Sequence, residues 1–148
     1  MRLKLLIAFL LSITLTASYA NVILTTLTGE KIPFTNLKGK WVLINYWASW
    51  CKPCLDEIKE LNHFYKMNND KIYLFAVNFD DLSRPKQAQL AKELRINYPS
   101  LAADPRAALN LGDLRGVPAT FVFDPEGNFS KALYGSQTLN SLKAAING

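Results

Sequence analysis

An α/β fold, with a central mixed sheet flanked by helices on both faces and a short N-terminal β extension, is predicted by three features of the sequence. Two nearly continuous apolar runs, residues 41–47 (WVLINYW) and 72–79 (IYLFAVNF), have the pattern of strands covered on both faces. Between them Leu55, Ile58, Leu61 and Phe64 recur at helical spacing, with Asp56, Lys59, Glu60 and Asn62 interposed, which is the signature of an amphipathic helix. Strand-like and helix-like segments then alternate and end in a hairpin and a last helix, an order that argues for one layered domain.

The elements follow in chain order. Residues 22–27 and 31–34 read as short strands around Gly29 and Glu30, and 37–40, with Gly39, as a turn; together they form an N-terminal edge. The buried strand 41–47 leads into the amphipathic helix, and the strand 72–79 into a helix over 84–95 with Pro85 well placed near its start. A short extended piece at 99–102 precedes a short helix at 105–111. Strands 119–124 and 128–134 are joined by Pro125, Glu126 and Gly127, a hairpin turn by composition, and 138–146 closes the chain as a helix.

The length of 148 residues suits one domain plus a leader, and 49% hydrophobic residues suffice for a core. Residues 1–20 read as a secretory signal: Arg2 and Lys4 give a basic start, residues 5–15 are an apolar run holding Ser12 and Thr14, and Ser18 and Ala20 put small residues at a cleavage site. The run is shorter than the roughly 20 apolar residues that span a bilayer comfortably. An uncleaved N-terminal anchor is the alternative; either way residues 21–148 are exported, to the periplasm if the source is Gram-negative. No cysteine near the cleavage site is available for lipidation. Outside the leader the net charge falls from +5 to +3 once Arg2 and Lys4 are set aside, no footprint for nucleic acid. Two cysteines and one histidine exclude a multi-disulfide scaffold and leave a four-ligand zinc site short of Cys and His.

The chemistry concentrates at Trp50-Cys51-Lys52-Pro53-Cys54, between the first buried strand and the amphipathic helix. Thiol-disulfide exchange needs a thiolate, and a helix N-terminus lowers a thiol's pKa through its unpaired N–H groups and positive dipole end. Cys51 stands at that end and is read as the attacking nucleophile. Two intervening residues let the first helical turn bring Cys54 back to Cys51, so Cys54 can resolve a mixed disulfide. Pro53 is tolerated in the first turn, where its missing N–H is not needed, and Lys52 adds a cation.

Here the chain resembles the thioredoxin superfamily, and within it the exported TlpA/ResA/CcmG-like thiol-disulfide oxidoreductases. The resemblance rests on residues 47–54 (WASWCKPC), 116–121 (GVPATF) and 124–127 (DPEG), and spans essentially residues 21–148. It implies a thioredoxin-like fold, a redox-active Cys51–Cys54 pair needing no further cofactor and no metal, and protein thiols and disulfides as substrates. It also implies a membrane-bound thiol electron donor and a place in cytochrome c maturation, where relatives keep haem-binding CxxCH thiols reduced. A monomer is expected. Pro118 matches the cis-proline facing the cysteines, with Val117 shaping the substrate groove beside it; from physics alone, X-Pro bonds are cis at modest cost. Glu57 matches an acidic residue credited with proton handling; its ordinary reading is a solvent-facing glutamate favoured early in a helix. Asn45 stands where thioredoxin has a buried aspartate, as in the TlpA/ResA branch. Lys59 replaces a helix-kinking proline, so a straighter helix is expected.

Trp50 adjoins the nucleophile and is read as contacting partners and gating Cys51, whereas Trp47, Tyr46 and Trp41 are expected in the core. His63 is read as a surface residue, Asp80 and Asp81 as turn and helix-start residues, and Asp104 as the cap of the helix opened by Pro105. Three functions compete. A disulfide reductase is preferred, because the compact chain lacks the inserted helical region of DsbA-like oxidases. A dithiol oxidase or isomerase would use the same cysteines. A copper-binding module of Sco type calls for CxxxC and a distant histidine, which this CxxC chain does not supply.

Overall fold

The computed structural model describes residues 19–147, so all of the leader except Tyr19 and Ala20 lies outside the described residues. Strand β3 (Trp41–Trp47) is the axis of a four-stranded sheet in the order β4-β3-β5-β6, with β4 (Ile72–Asn78), β5 (Ala119–Phe123) and β6 (Phe129–Tyr134). β4 runs parallel to β3, while β5 and β6 continue antiparallel, the mixed sheet expected from one helical crossover followed by a hairpin. The N-terminal extension is a two-stranded ladder, β1 (Ile23–Thr25) with β2 (Lys31–Pro33). It joins the main sheet through residues 99–102: Ser100 bridges Ala76 of β4, and Leu101 bridges Thr26.

The period of two along each strand sorts side chains onto two faces. Leu43 and Trp47 of β3, Leu74 and Ala76 of β4, and Val122 of β5 pack with Leu61 and Phe64 of helix α1 (Lys52–Asn68) and Leu142 and Ala145 of helix α3 (Leu139–Ala145). Leu90 and Leu94, from helix α2 (Arg84–Glu93) and its end, lean on the same cluster. The alternate residues Val42, Ile44, Tyr46, Phe75, Val77, Phe121 and Phe123 face a second cluster, covered by β1 and by Phe34 and Leu37 of a 3₁₀ turn (Phe34–Leu37). Leu109, Leu111 and Leu114 complete that cover.

Several expected boundaries move for local reasons. The second strand of the extension stops at Pro33, and Phe34 turns into the 3₁₀ segment with its ring buried against Phe123. Helix α2 ends at Glu93 rather than Arg95, because Arg95 adopts a left-handed φ of 56°. The short helix expected at 105–111 does not form. Leu109 N–H reaches Pro105 O at 2.9 Å in a single helical turn, and Asn110, at φ 53°, closes it at once: Leu111 N–H bonds Arg106 O at 3.0 Å and Asn110 N–H bonds Ala107 O at 3.3 Å, the ending of a helix after one turn. The hairpin turn and α3 lie where the sequence puts them; Gly127 takes φ 88° in the turn, and Thr138 and Ser141 form a reciprocal capping box.

Asp104 therefore caps no helix. Its carboxylate accepts from the hydroxyl of fully buried Tyr46 at 2.7 Å, from Arg106 Nε at 2.7 Å and from the Arg106 backbone N–H at 3.0 Å. Burial and the Asp104 carboxylate push the Tyr46 hydroxyl above its ordinary range. Asp104→Ala, which orphans that hydroxyl, is expected to cost about 2 kcal/mol in urea unfolding. On a Tyr46→Phe background the same replacement should cost less than half as much; equal costs would place the loss on Arg106 instead.

Candidate active site

Strand β3 delivers the chain to the cysteines along a fixed path. Phe79 N–H donates to Trp47 O at 2.8 Å, and Asp80 accepts from Ser49 N–H at 2.9 Å and Ser49 Oγ at 3.2 Å. The loop after β4 thus clamps the approach to Cys51, a role for Asp80 that adjacency to a strand end did not reveal. Neither Asp80 nor Asp81 starts the next helix, as the sequence suggested: Asp81 is exposed, and α2 opens at Arg84 with Ser83 as its N-cap.

Cys51 is the N-cap of α1 and its Sγ accepts from Cys54 N–H at 3.2 Å. The two cysteines form a disulfide with Cα atoms 5.3 Å apart, so the state described is the oxidised one. Cys54 is fully buried and Cys51 retains 5% exposure. Pro53 sits in the first turn, where no intrahelical bond is lost, and Lys52 is exposed and paired with Asp56 one turn on. Trp50, 69% exposed, stands beside Cys51 as the most exposed of the large hydrophobic side chains among the described residues. The Val117–Pro118 bond is cis, and Val117 packs against the cluster that contains both cysteines.

Glu57 is the largest departure from the ordinary reading. It is 1% exposed on the inner face of α1, three residues after Cys54, and not solvent-facing. Its Oε1 accepts from Asn45 Nδ2 at 2.7 Å, and its Oε2 from Gln137 N–H at 2.8 Å. The Asn45 amide also donates to Thr120 Oγ1 at 3.1 Å; Asn45 and Thr120 are Cα partners across β3 and β5 and face α1 together. One carboxyl thus ties helix, sheet and the loop before α3, and Ser136 Oγ, bonded to Pro53 O at 3.3 Å, fastens that loop to the start of α1. A signal for this burial existed: Cys54, Glu57, Leu61 and Phe64 follow a 3-4-3 spacing, one stripe of a helix. α1 runs unbroken through Lys59, as expected for a chain without the kinking proline.

Burial raises the Glu57 carboxyl to about 7 against the two hydrogen bonds, which favour its charged form. Trp47 and Tyr46 are core residues, whereas Trp41 is only partly buried. His63 is exposed on α1, nine residues beyond Cys54 and so about 14 Å along the helix axis, out of reach for a metal shared with the thiols.

Residues 16–132 match the AhpC/TSA family. The chain belongs to that family. It is 30% identical over 128 residues to the thiol-disulfide oxidoreductase ResA of Bacillus subtilis, an alignment covering 86% of this chain and 71% of the relative. It is 31% identical over 125 residues to the thioredoxin-like protein YneN of the same organism, covering 83% and 73%. A DsbF homologue from Corynebacterium diphtheriae superposes with a TM-score of 0.73 at 26% identity, over 85% of this chain and 82% of that one. The molecule is a thioredoxin-like thiol-disulfide oxidoreductase whose redox group is the Cys51–Cys54 pair.

The raised Glu57 carboxyl has a signed consequence for stability. The fold keeps the proton up to about pH 7, whereas the unfolded chain releases it near 4.5, so this contribution is fully present below pH 4.5 and is lost as pH rises to 7. Its size is on the order of 3 kcal/mol. The oxidised protein is expected to lose Tm across that window, and Glu57→Gln to flatten the loss; parallel pH profiles for the two proteins would show that Glu57 is not the group responsible.

Proposed function

We propose that this chain works outside the cytoplasm as a monomeric reductase of protein disulfides, recharged by a membrane-bound thiol donor. The observation that carries the reading is the carboxyl of Glu57, fully buried three residues beyond the resolving cysteine and pushed up to about 7 by that burial. In the reduced enzyme the Cys51 thiolate, stabilised by the N–H groups opening α1, attacks one sulfur of a client disulfide. The client's other sulfur leaves as a thiolate and takes a proton from solvent. Cys54 then passes its proton to the Glu57 carboxylate and attacks Cys51 Sγ. The client's second thiolate departs, the Cys51–Cys54 disulfide forms, and two electrons have moved from enzyme to client.

A base one helical turn beyond Cys54 serves the step in which Cys54 must become a nucleophile. That step resolves the mixed disulfide in the reducing direction. Exposed Trp50, Lys52 and Pro53, with partly buried Val117 and buried Pro118 behind them, form the groove that receives the client strand. A client class suited to this role is the haem-binding CxxCH segment of a cytochrome c precursor, kept reduced for attachment. The basic, apolar leader of residues 1–20 supports export.

Equilibration of the purified protein against a thiol buffer series, read by alkylation of Cys51 and Cys54, tests the direction. A potential near −270 mV is expected, and one near −120 mV would make the protein an oxidant. Cys51→Ser is expected to abolish exchange and Cys54→Ser to accumulate mixed disulfides; equal activity in the two would overturn the assigned roles. In Glu57→Gln the pH profile of mixed-disulfide resolution should shift, and an unchanged profile would remove Glu57 from proton transfer.

A further inference from the structure

Tyr19 precedes the small-residue cleavage site at Ala20, yet its side chain belongs to the folded core. It is 9% exposed, and its ring packs edge-on against Phe34 (centroids 5.2 Å apart) and Phe123 (5.9 Å), which themselves meet at 5.0 Å. Each such pair adds to the burial free energy of the rings. The backbone is held as well: Val22 N–H donates to Tyr19 O at 3.1 Å, closing a tight turn that feeds directly into β1. The Ala20–Asn21 bond lies in the middle of this turn, with Ala20 and Asn21 exposed and the flanking residues Tyr19 and Val22 packed on the second cluster.

A chain beginning at Asn21 would lack the third ring of the aromatic cluster and leave Phe34 and Phe123 facing an apolar slot. A signal peptidase acts on an unfolded chain, so packing cannot itself block the cut. What the packing shows is that the ring is part of what makes the domain stable. We infer that the exported protein retains Tyr19, with Ala20–Asn21 left intact, so that the folded domain begins two residues before the boundary the small residues suggest. Ala17 and Ser18 leave small residues for a cut immediately upstream, and an unprocessed leader satisfies the same requirement.

The geometry also fixes where the preceding chain attaches. Phe123 pairs with Val42 at the start of β3, whereas the cysteines follow Trp47 at its far end, five residues and about 17 Å along the strand. Whatever precedes Tyr19 therefore joins the domain at the end of the sheet opposite the dithiol.

The full chain, expressed with its leader for export and recovered from the cell envelope, settles the boundary by intact mass and N-terminal sequencing. An N-terminus at or before Tyr19 is expected, and a protein starting at Asn21 would overturn the inference. Full-chain variants test the packing independently of processing. Tyr19→Ala should lower Tm by roughly 10 °C, whereas Tyr19→Phe, which keeps the ring, should leave it within a few degrees of the parent. A Tyr19→Ala protein as stable as the parent would show that the ring contributes nothing to the core, and the inference would fail with it.

Discussion

The buried carboxyl of Glu57 is the constraint on which the active-site architecture depends. It stands on α1, accepts from Asn45 of β3 and from the backbone before α3, and through Asn45 reaches Thr120 of β5. Moving any of these elements would leave a buried polar atom unpaired, at a cost of about 1–3 kcal/mol for each neutral group and more for a charged one. The carboxyl's own burial is unfavourable to its charge, so the network holds a group whose protonation state is balanced near neutrality. A neutral asparagine at position 45 fits this arrangement, because an aspartate there would set a second carboxylate 2.7 Å from the first.

The surroundings amplify that balance. Tyr98 is buried in the cluster that holds both cysteines, and its hydroxyl has no hydrogen-bond partner among the described residues. Burial, and then the Glu57 charge, hold its proton well above the ordinary tyrosine range, so it stays neutral beside the titrating carboxyl. That hydroxyl thus adds no charge of its own. Ser136 and Glu60 add to the rigidity: Ser136 Oγ bonds Pro53 O, and Glu60 accepts from Leu139 N–H at 2.9 Å, so with the Gln137–Glu57 bond the chain entering α3 is tied three times to α1.

Much of this arrangement was legible where the determining interactions are local. The run 41–47 became β3 and all of the run 72–79 but exposed Phe79 became β4, because a strand covered on both faces has to be apolar throughout, and the Cys51-Lys52-Pro53-Cys54 spacing sits at a helix start as read. Long-range partnerships were not legible. Asp104 looked like a cap because of the proline after it, but its oxygen serves Tyr46, 58 residues earlier. For Glu57 the sequence left two readings open, a proton-handling residue by resemblance and a solvent-facing glutamate, because a carboxylate early in a helix is favoured there in any case. Its place on the buried stripe with Cys54 and Leu61 was the contrary sign, and the compensating donors, Asn45 and Gln137, are 12 and 80 residues away.

If the network around Glu57 governs the site, the burial of its carboxyl has to show in the residue's own titration. Carboxyl carbon chemical shifts of isotope-labelled oxidised protein, followed from pH 3 to 9 and assigned by comparison with Glu57→Gln, give the midpoint without reference to activity. A Glu57 midpoint near 7, well separated from those of the exposed glutamates, is the expected result. A midpoint near 4.5, the ordinary value for the residue, would mean that the carboxyl is solvated and that the network described around it does not govern the site.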